Sequence, residues 1–149
     1  MNGAITITLP KDRKKPGTLV LRDDRGQTMF SCHCLGRSAG HASNPSRDPL
    51  KYRGDTPTGR YATTFVTHLP HPVTGIGLLW ITLDPDNFYD GSQARQAELK
   101  GRRGLGIHGG RGNIILKPTH GCVRLLDRDM ADLASVAGKL RFTVEIKEV

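Results

Sequence analysis

Leu140-Arg141-Phe142-Thr143-Val144-Glu145-Ile146-Lys147 alternates apolar and polar residues without a break over eight positions. Side chains on a strand point to opposite faces with a period of two, so this stretch reads as a half-buried closing strand. The same alternation runs through Ala4 to Leu9. It returns in Thr18 to Arg22 and Gln27 to Leu35, which flank the turn Asp23-Asp24-Arg25-Gly26 and read as a hairpin. The chain therefore opens as a β-meander. Tyr61 to Leu69 and Ile76 to Leu83 read as two further strands separated by Pro70-His71-Pro72, with Trp80 as a core anchor. Gly104 to Ile107 has room for a brief buried strand.

Helical signals are few. Gln93 to Lys100 is rich in helix formers. Asp127 is placed to cap a second helix that carries Met130, Leu133, Ala134 and Ala137 on one face and ends at Gly138. Strands dominate and no βαβ rhythm is visible. The expected fold is mainly β, a sandwich or partly closed barrel with two short helices.

The length of 149 residues fits one domain spanning 1–149. Apolar residues make up 36% and aromatic ones only 5%, so the core must come from Val, Ile and Leu rather than from large rings. No window approaches 18 consecutive apolar residues, which argues against membrane insertion. The first twenty residues break at Pro10 before a Lys/Arg cluster and do not resemble a Sec signal. Three cysteines, Cys32, Cys34 and Cys122, cannot all pair, so at least one thiol is free. Cys32 and Cys34 flank His33 on one strand, about 6.6 Å apart on the same face, and read as structural. Lys and Arg number 22 against 14 Asp and Glu, a net charge of +8. That excess favours anionic partners, among them nucleic acid, a membrane surface or a cell-wall polymer.

Chemistry concentrates in Gly106-Ile107-His108-Gly109-Gly110 and Thr119-His120-Gly121-Cys122-Val123-Arg124. A cysteine nucleophile needs a base for its proton and donors for the oxyanion formed when it attacks a carbonyl. His108 ends one apolar run and Cys122 begins another, so adjacent strand ends can bring thiol and imidazole together. Gly121 permits a tight turn that aims nearby N–H groups at one point. Arg102, Arg103, Arg111, Lys117 and Arg124 supply positive potential that favours a thiolate. The loop Gly36 to Thr58, almost free of apolar residues, and His41 within it are placed to line a groove or to lie in solvent.

At these residues the chain resembles the YkuD-type L,D-transpeptidases, bacterial cysteine enzymes of peptidoglycan. The motif His-Gly, spacer, Ser/Thr-x-Gly-Cys-Val/Ile-Arg/Asn is matched by His108-Gly109 and Thr119 to Arg124. Gly54-Asp55-Thr56-Pro57-Thr58-Gly59-Arg60-Tyr61 is similar to the family's upstream segment. The resemblance implies Cys122 as nucleophile, His108 as base, the Gly109 carbonyl as orienter of the imidazole, and backbone at His120 and Gly121 as oxyanion hole. Thr119, Arg124 and Tyr61 become substrate-binding residues, although Tyr61 on its own reads as core. The implied substrates are peptidoglycan stem peptides, with cross-linking, L,D-carboxypeptidase or exchange as outcomes. No cofactor is implied. The spacer before Thr119 is shorter than is usual in the family. The lack of a visible signal makes the chain similar to antibacterial effectors of type VI secretion, delivered to a periplasm without a signal and countered by a cognate immunity protein.

Two other readings compete. A zinc-dependent hydrolase would draw ligands from His68 and His71 with His108, His120 or Cys122. A basic binding module would use the +8 charge for wall polymer or nucleic acid, but its cations are dispersed and few aromatics are available for stacking, so no nucleic-acid partner is expected.

Overall fold

The computed structural model describes residues 2–89 and 91–149. The closing strand β9 (Arg141–Glu148) lies inside a five-stranded sheet with β1 (Asn2–Leu9), β2 (Gly17–Asp23), β3 (Thr28–Cys34) and β4 (Gly59–Thr64). Their order is β3-β2-β1-β9-β4. First and last strands pair in parallel, setting Ile5 against Val144 and Ile7 against Ile146, so the two ends of the chain lock together at the sheet centre. The alternation read from sequence is the burial pattern found. Phe142, Val144 and Ile146 are buried, while Arg141, Thr143 and Lys147 are exposed. The Asp23 carboxylate closes the β2–β3 turn by accepting from the Arg25 and Gln27 N–H groups, each at 2.9 Å.

A second sheet comprises β5 (Thr67–Val73), β6 (Gly77–Thr82), β7 (Gly106–His108) and β8 (Val123–Arg124), in that order. Its last pair is parallel and the other pairs antiparallel. Both sheets are thus mixed, there is no closed barrel, and one apolar core containing Ile5, Leu21, Ile81, Ile107, Val123 and Phe142 joins them. Helix α1 (Gln93–Leu99) packs on β4, and α2 (Asp127–Ala137) packs on β3 and β6 through buried Met130, Leu133 and Ala137. No helix among the described residues is long and apolar enough to cross a membrane.

Two expectations need correction. Tyr61 to Leu69 is not one strand. The chain leaves the first sheet after Thr64 and enters the second at Thr67, and buried Val66 sits at the crossing. Pro70 and Pro72 fall inside β5 rather than between strands, because β5 is an edge whose pairing is interrupted between His68 and Val73. Asp127 is not the cap of α2. It is the first helical residue, Leu126 holds the cap position, and the Asp127 carboxylate turns instead to the loop after His108.

Candidate active site

The parallel pairing of β7 with β8 places Ile107 beside Val123 and His108 beside Arg124. That register brings together two motifs separated in sequence. Cys122 immediately precedes β8 and His108 ends β7. Both line one cavity of about 470 Å³, together with Trp80, His120 and Arg124 and the hairpin turn Thr74-Gly75-Ile76. A larger cavity of about 530 Å³ lies between that hairpin and α2 and contains neither the thiol nor the imidazole. Size alone therefore does not locate the chemistry.

Three features fix His108. Its Nδ1 lies 2.9 Å from the Gly109 carbonyl, so Nδ1 carries the proton and Nε2 is the free, basic nitrogen. The Arg124 guanidinium donates to the same carbonyl and lies 3.4 Å from Nδ1. Trp80, opposite His108 across β6 and β7, stacks on the imidazole with centroids 5.4 Å apart and planes 12° from parallel. Its indole N–H donates to Thr82 Oγ1 at 2.9 Å. A Cβ at Gly106 would come within 2.3 Å of the indole, so only glycine admits the ring there. Trp80 is therefore half-buried against the site as well as anchored to the core.

The electrostatics differ from the expected thiolate. Burial is the largest influence on Cys122 and raises its pKa, against the Gly106 backbone hydrogen bond and the charges of Arg102 and Arg124. Burial likewise lowers His108 to about 4, opposed by the Gly109 carbonyl and assisted by Arg124. Both groups on this cavity, the Cys122 thiol and the His108 imidazole, therefore rest neutral. The Cys122 Sγ points to the Gly104 carbonyl at 3.7 Å, and the residue is 9% exposed.

The remaining residues of the motif are largely occupied in building the site. Thr119 Oγ1 donates to the Cys122 carbonyl at 2.8 Å and accepts from the Gly121 N–H at 2.9 Å, which braces the turn. Gly121 N–H, expected to contribute to an oxyanion hole, is bonded to Thr119 Oγ1 here. Among the described residues the His120 and Cys122 amides have no intramolecular partner. Gly121 has φ +124, and a side chain there would collide with Arg102. The Arg124 guanidinium donates to the carbonyls of Gly75, Gly109, Lys117 and Pro118, so it ties three loops together at the cavity wall. Tyr61 is buried, its hydroxyl donating to the Pro57 carbonyl at 2.7 Å, and it does not line the cavity.

The loop from 36 to 58 both braces the site and contributes to cavity walls, through Ala39 beside His108 and Cys122 and through Tyr52 and Arg53 beside Lys100 and Arg103. Thr56 Oγ1 donates to the Gly121 carbonyl at 2.6 Å, and the Asp55 carboxylate accepts from the Ser38 N–H at 2.8 Å. Buried Arg102, expected only to add positive potential, donates to the carbonyls of Pro49, Gly54, Asp55 and His120. His41 is exposed and bonds Ser43. Cys32 and Cys34 are free thiols, with burial as the main influence raising both and Cys32 pushed up to about 12. His68 and His71 are exposed on β5, and no three His, Cys, Asp or Glu side chains among the described residues are grouped to hold a metal ion.

Fold and site thus define a two-sheet β protein with a cysteine and a histidine opening on one cavity at paired strand ends. The chain belongs to the YkuD family, the L,D-transpeptidase catalytic domain, whose model matches residues 12–146. Among solved structures it is similar to Bd1075 of Bdellovibrio bacteriovorus, at 18% identity and TM-score 0.58, over 95% of this chain and 47% of that one. It is also similar to the helical cell shape determining protein Pgp2 of Campylobacter jejuni, at 18% identity and TM-score 0.60, over 99% of this chain and 48% of that one. The chain therefore spans about half the length of these structures. No curated protein sequence matches it.

Proposed function

We propose that this domain is a cysteine-dependent acyl transferase of peptidoglycan stem peptides, with Cys122 as nucleophile and His108 as general base. One observation carries the reading: Cys122 and a His108 whose Nδ1 is pinned to a carbonyl line the same solvent-open cavity. As Sγ attacks the carbonyl of the third stem residue, the thiol proton passes to His108 Nε2. The oxyanion is met by the Cys122 N–H, with the His120 N–H beside it, both unpaired at rest. The C–N bond then breaks, and the terminal D-amino acid departs with the proton from Nε2, leaving a thioester on Cys122. An incoming amine or water attacks that thioester, gives its proton to His108, and releases the thiol.

The neutral resting pair fits this sequence. Proton transfer accompanies attack, so the free thiol is not constantly exposed to oxidants as a thiolate. The attacking species decides the product: a stem amine gives a cross-link, water a tripeptide, and a free D-amino acid an exchanged stem. The test is incubation of the wild type and Cys122→Ala with tetrapeptide-stem muropeptides, followed by mass analysis. Loss or replacement of the terminal residue, or dimer formation, is expected with the wild type alone. Undiminished activity in the variant overturns the reading.

A further inference from the structure

Cys122 also lines a second cavity, of about 300 Å³, which meets the first at Gly104, His120 and Cys122. Its wall carries Arg53, Lys100, Arg102 and Arg103, and no Asp or Glu lines it among the described residues. Arg102 is engaged with four carbonyls and serves as scaffold. The others keep donors in reserve. Lys100 is exposed and makes no ion pair among the described residues. Arg103 uses one nitrogen on the Glu98 and Arg102 carbonyls. Arg53 holds a left-handed backbone, φ 59, with its carbonyl fastened by the Ser38 hydroxyl. Its guanidinium lies over the Tyr52 ring at 5.5 Å and reaches within 3.4 Å of His120 Nε2. Among the described residues lining this cavity no carboxylate faces these cations.

The order of events at Cys122 tells which part of a substrate lies there. His108 must protonate the leaving nitrogen and deprotonate the incoming one, so both must occupy the cavity that holds His108. The acyl arm, tethered to Sγ between the two steps, has the other cavity left to it. We infer that the basic cavity binds the acyl arm of an anionic donor peptide, with Arg53, Lys100 and Arg103 pairing with a carboxylate on the acyl side of the scissile amide. This assignment rests on the function proposed above.

Two synthetic tetrapeptides that differ only in Glu or Gln before the diamino acid, the first carrying the carboxylate and the second its neutral amide, provide the test. Calorimetric titration into Cys122→Ala reads binding without turnover. The Glu peptide is expected to bind on the order of tenfold tighter at low salt, with the gap closing as salt rises. The gap should vanish in Cys122→Ala carrying Arg53→Gln, Lys100→Gln and Arg103→Gln. If that combination does not fold, Lys100→Gln alone, at an exposed position, should narrow the gap by roughly twofold. Equal binding of the two peptides, or a gap that survives the charge removal, overturns the inference. So does a third peptide, with Glu kept and its C-terminal carboxylate amidated, that loses the salt-dependent binding supplied by Arg53, Lys100 and Arg103, which would put the leaving residue in this cavity. Failure of the proposed function is read separately, as no acyl-enzyme on wild-type Cys122 with any of these peptides while the binding gap persists.

Discussion

The two sheets are held in different ways. In the five-stranded sheet the strands run six to eight residues, and their inner faces are hydrocarbon: Ile5, Ile7, Leu9, Leu19, Leu21, Phe142, Val144 and Ile146 are all buried. Each such side chain stabilises the fold by about 1.5–3 kcal/mol relative to exposure. In the second sheet, β7 has three residues and β8 has two, too short to fix their own geometry by ladder bonds. Buried polar side chains do it instead: Arg102 and Arg124 gather carbonyls, while Thr56 and Thr119 brace the turn before Cys122. Hydrocarbon gives one sheet its stability, and directional hydrogen bonds give the other the positions its chemistry requires.

Paired substitutions break this contrast most strongly. Phe142→Ala, in the first sheet, should cost about 3–5 kcal/mol of unfolding free energy while leaving turnover per folded molecule unchanged. Arg124→Met leaves buried carbonyls without donors and should cost less stability, about 1–3 kcal/mol. By loosening the Gly109 carbonyl that holds His108, it should lower kcat by on the order of a hundredfold. Denaturant titration with turnover normalised to folded protein separates the two. Equal losses of activity per folded molecule would erase the distinction.

The second sheet should also carry the acid sensitivity. His108 is lowered to about 4 from an ordinary 6.5. Between those values the unfolded chain binds a proton that the folded one refuses, so stability falls as pH drops from about 6.5 to 4 and this contribution is flat below. The full swing is about 3 kcal/mol, and His108→Gln should flatten it in denaturation measured across that window. An unchanged slope in the variant would assign the sensitivity elsewhere.

A smaller effect sharpens the account at the loop after His108. The Asp127 carboxylate accepts from the Gly110 and Gly112 N–H groups at 2.6 and 2.9 Å. Asp127→Ala should cost about 1 kcal/mol and raise hydrogen exchange at those two amides, with a several-fold loss of kcat. Unchanged exchange would show that the loop holds without the clamp.

What was legible from sequence divides along the same line. Strands β1, β2, β3 and β9, and the buried face of α2, followed from periodicity, because burial on a regular element repeats with its geometry. That His108 and Cys122 open on one cavity followed from residue chemistry. Partnership did not. Thr119, Arg124 and Tyr61 have the right composition to touch a substrate, but nothing in their order says that backbone carbonyls and amides already take their donors and acceptors. Trp80 stacks on His108 only because of the β6–β7 register, and two positions in different strands carry no local sign of that contact. The break of Tyr61 to Leu69 into two sheets is set by buried Val66 and an edge strand's tolerance of proline, which are tertiary facts.

The central claim is that Cys122 forms the thioester and His108 moves its proton. The most direct measurement is intact-mass analysis, followed by peptide mapping, of wild type, Cys122→Ala and His108→Gln mixed with a tetrapeptide stem. The account predicts an adduct equal to the stem less its terminal residue, mapped to Cys122, absent in Cys122→Ala and formed at least about a hundredfold more slowly in His108→Gln. An adduct on Cys32 or Cys34, or acylation of Cys122 at an undiminished rate without His108, would contradict it.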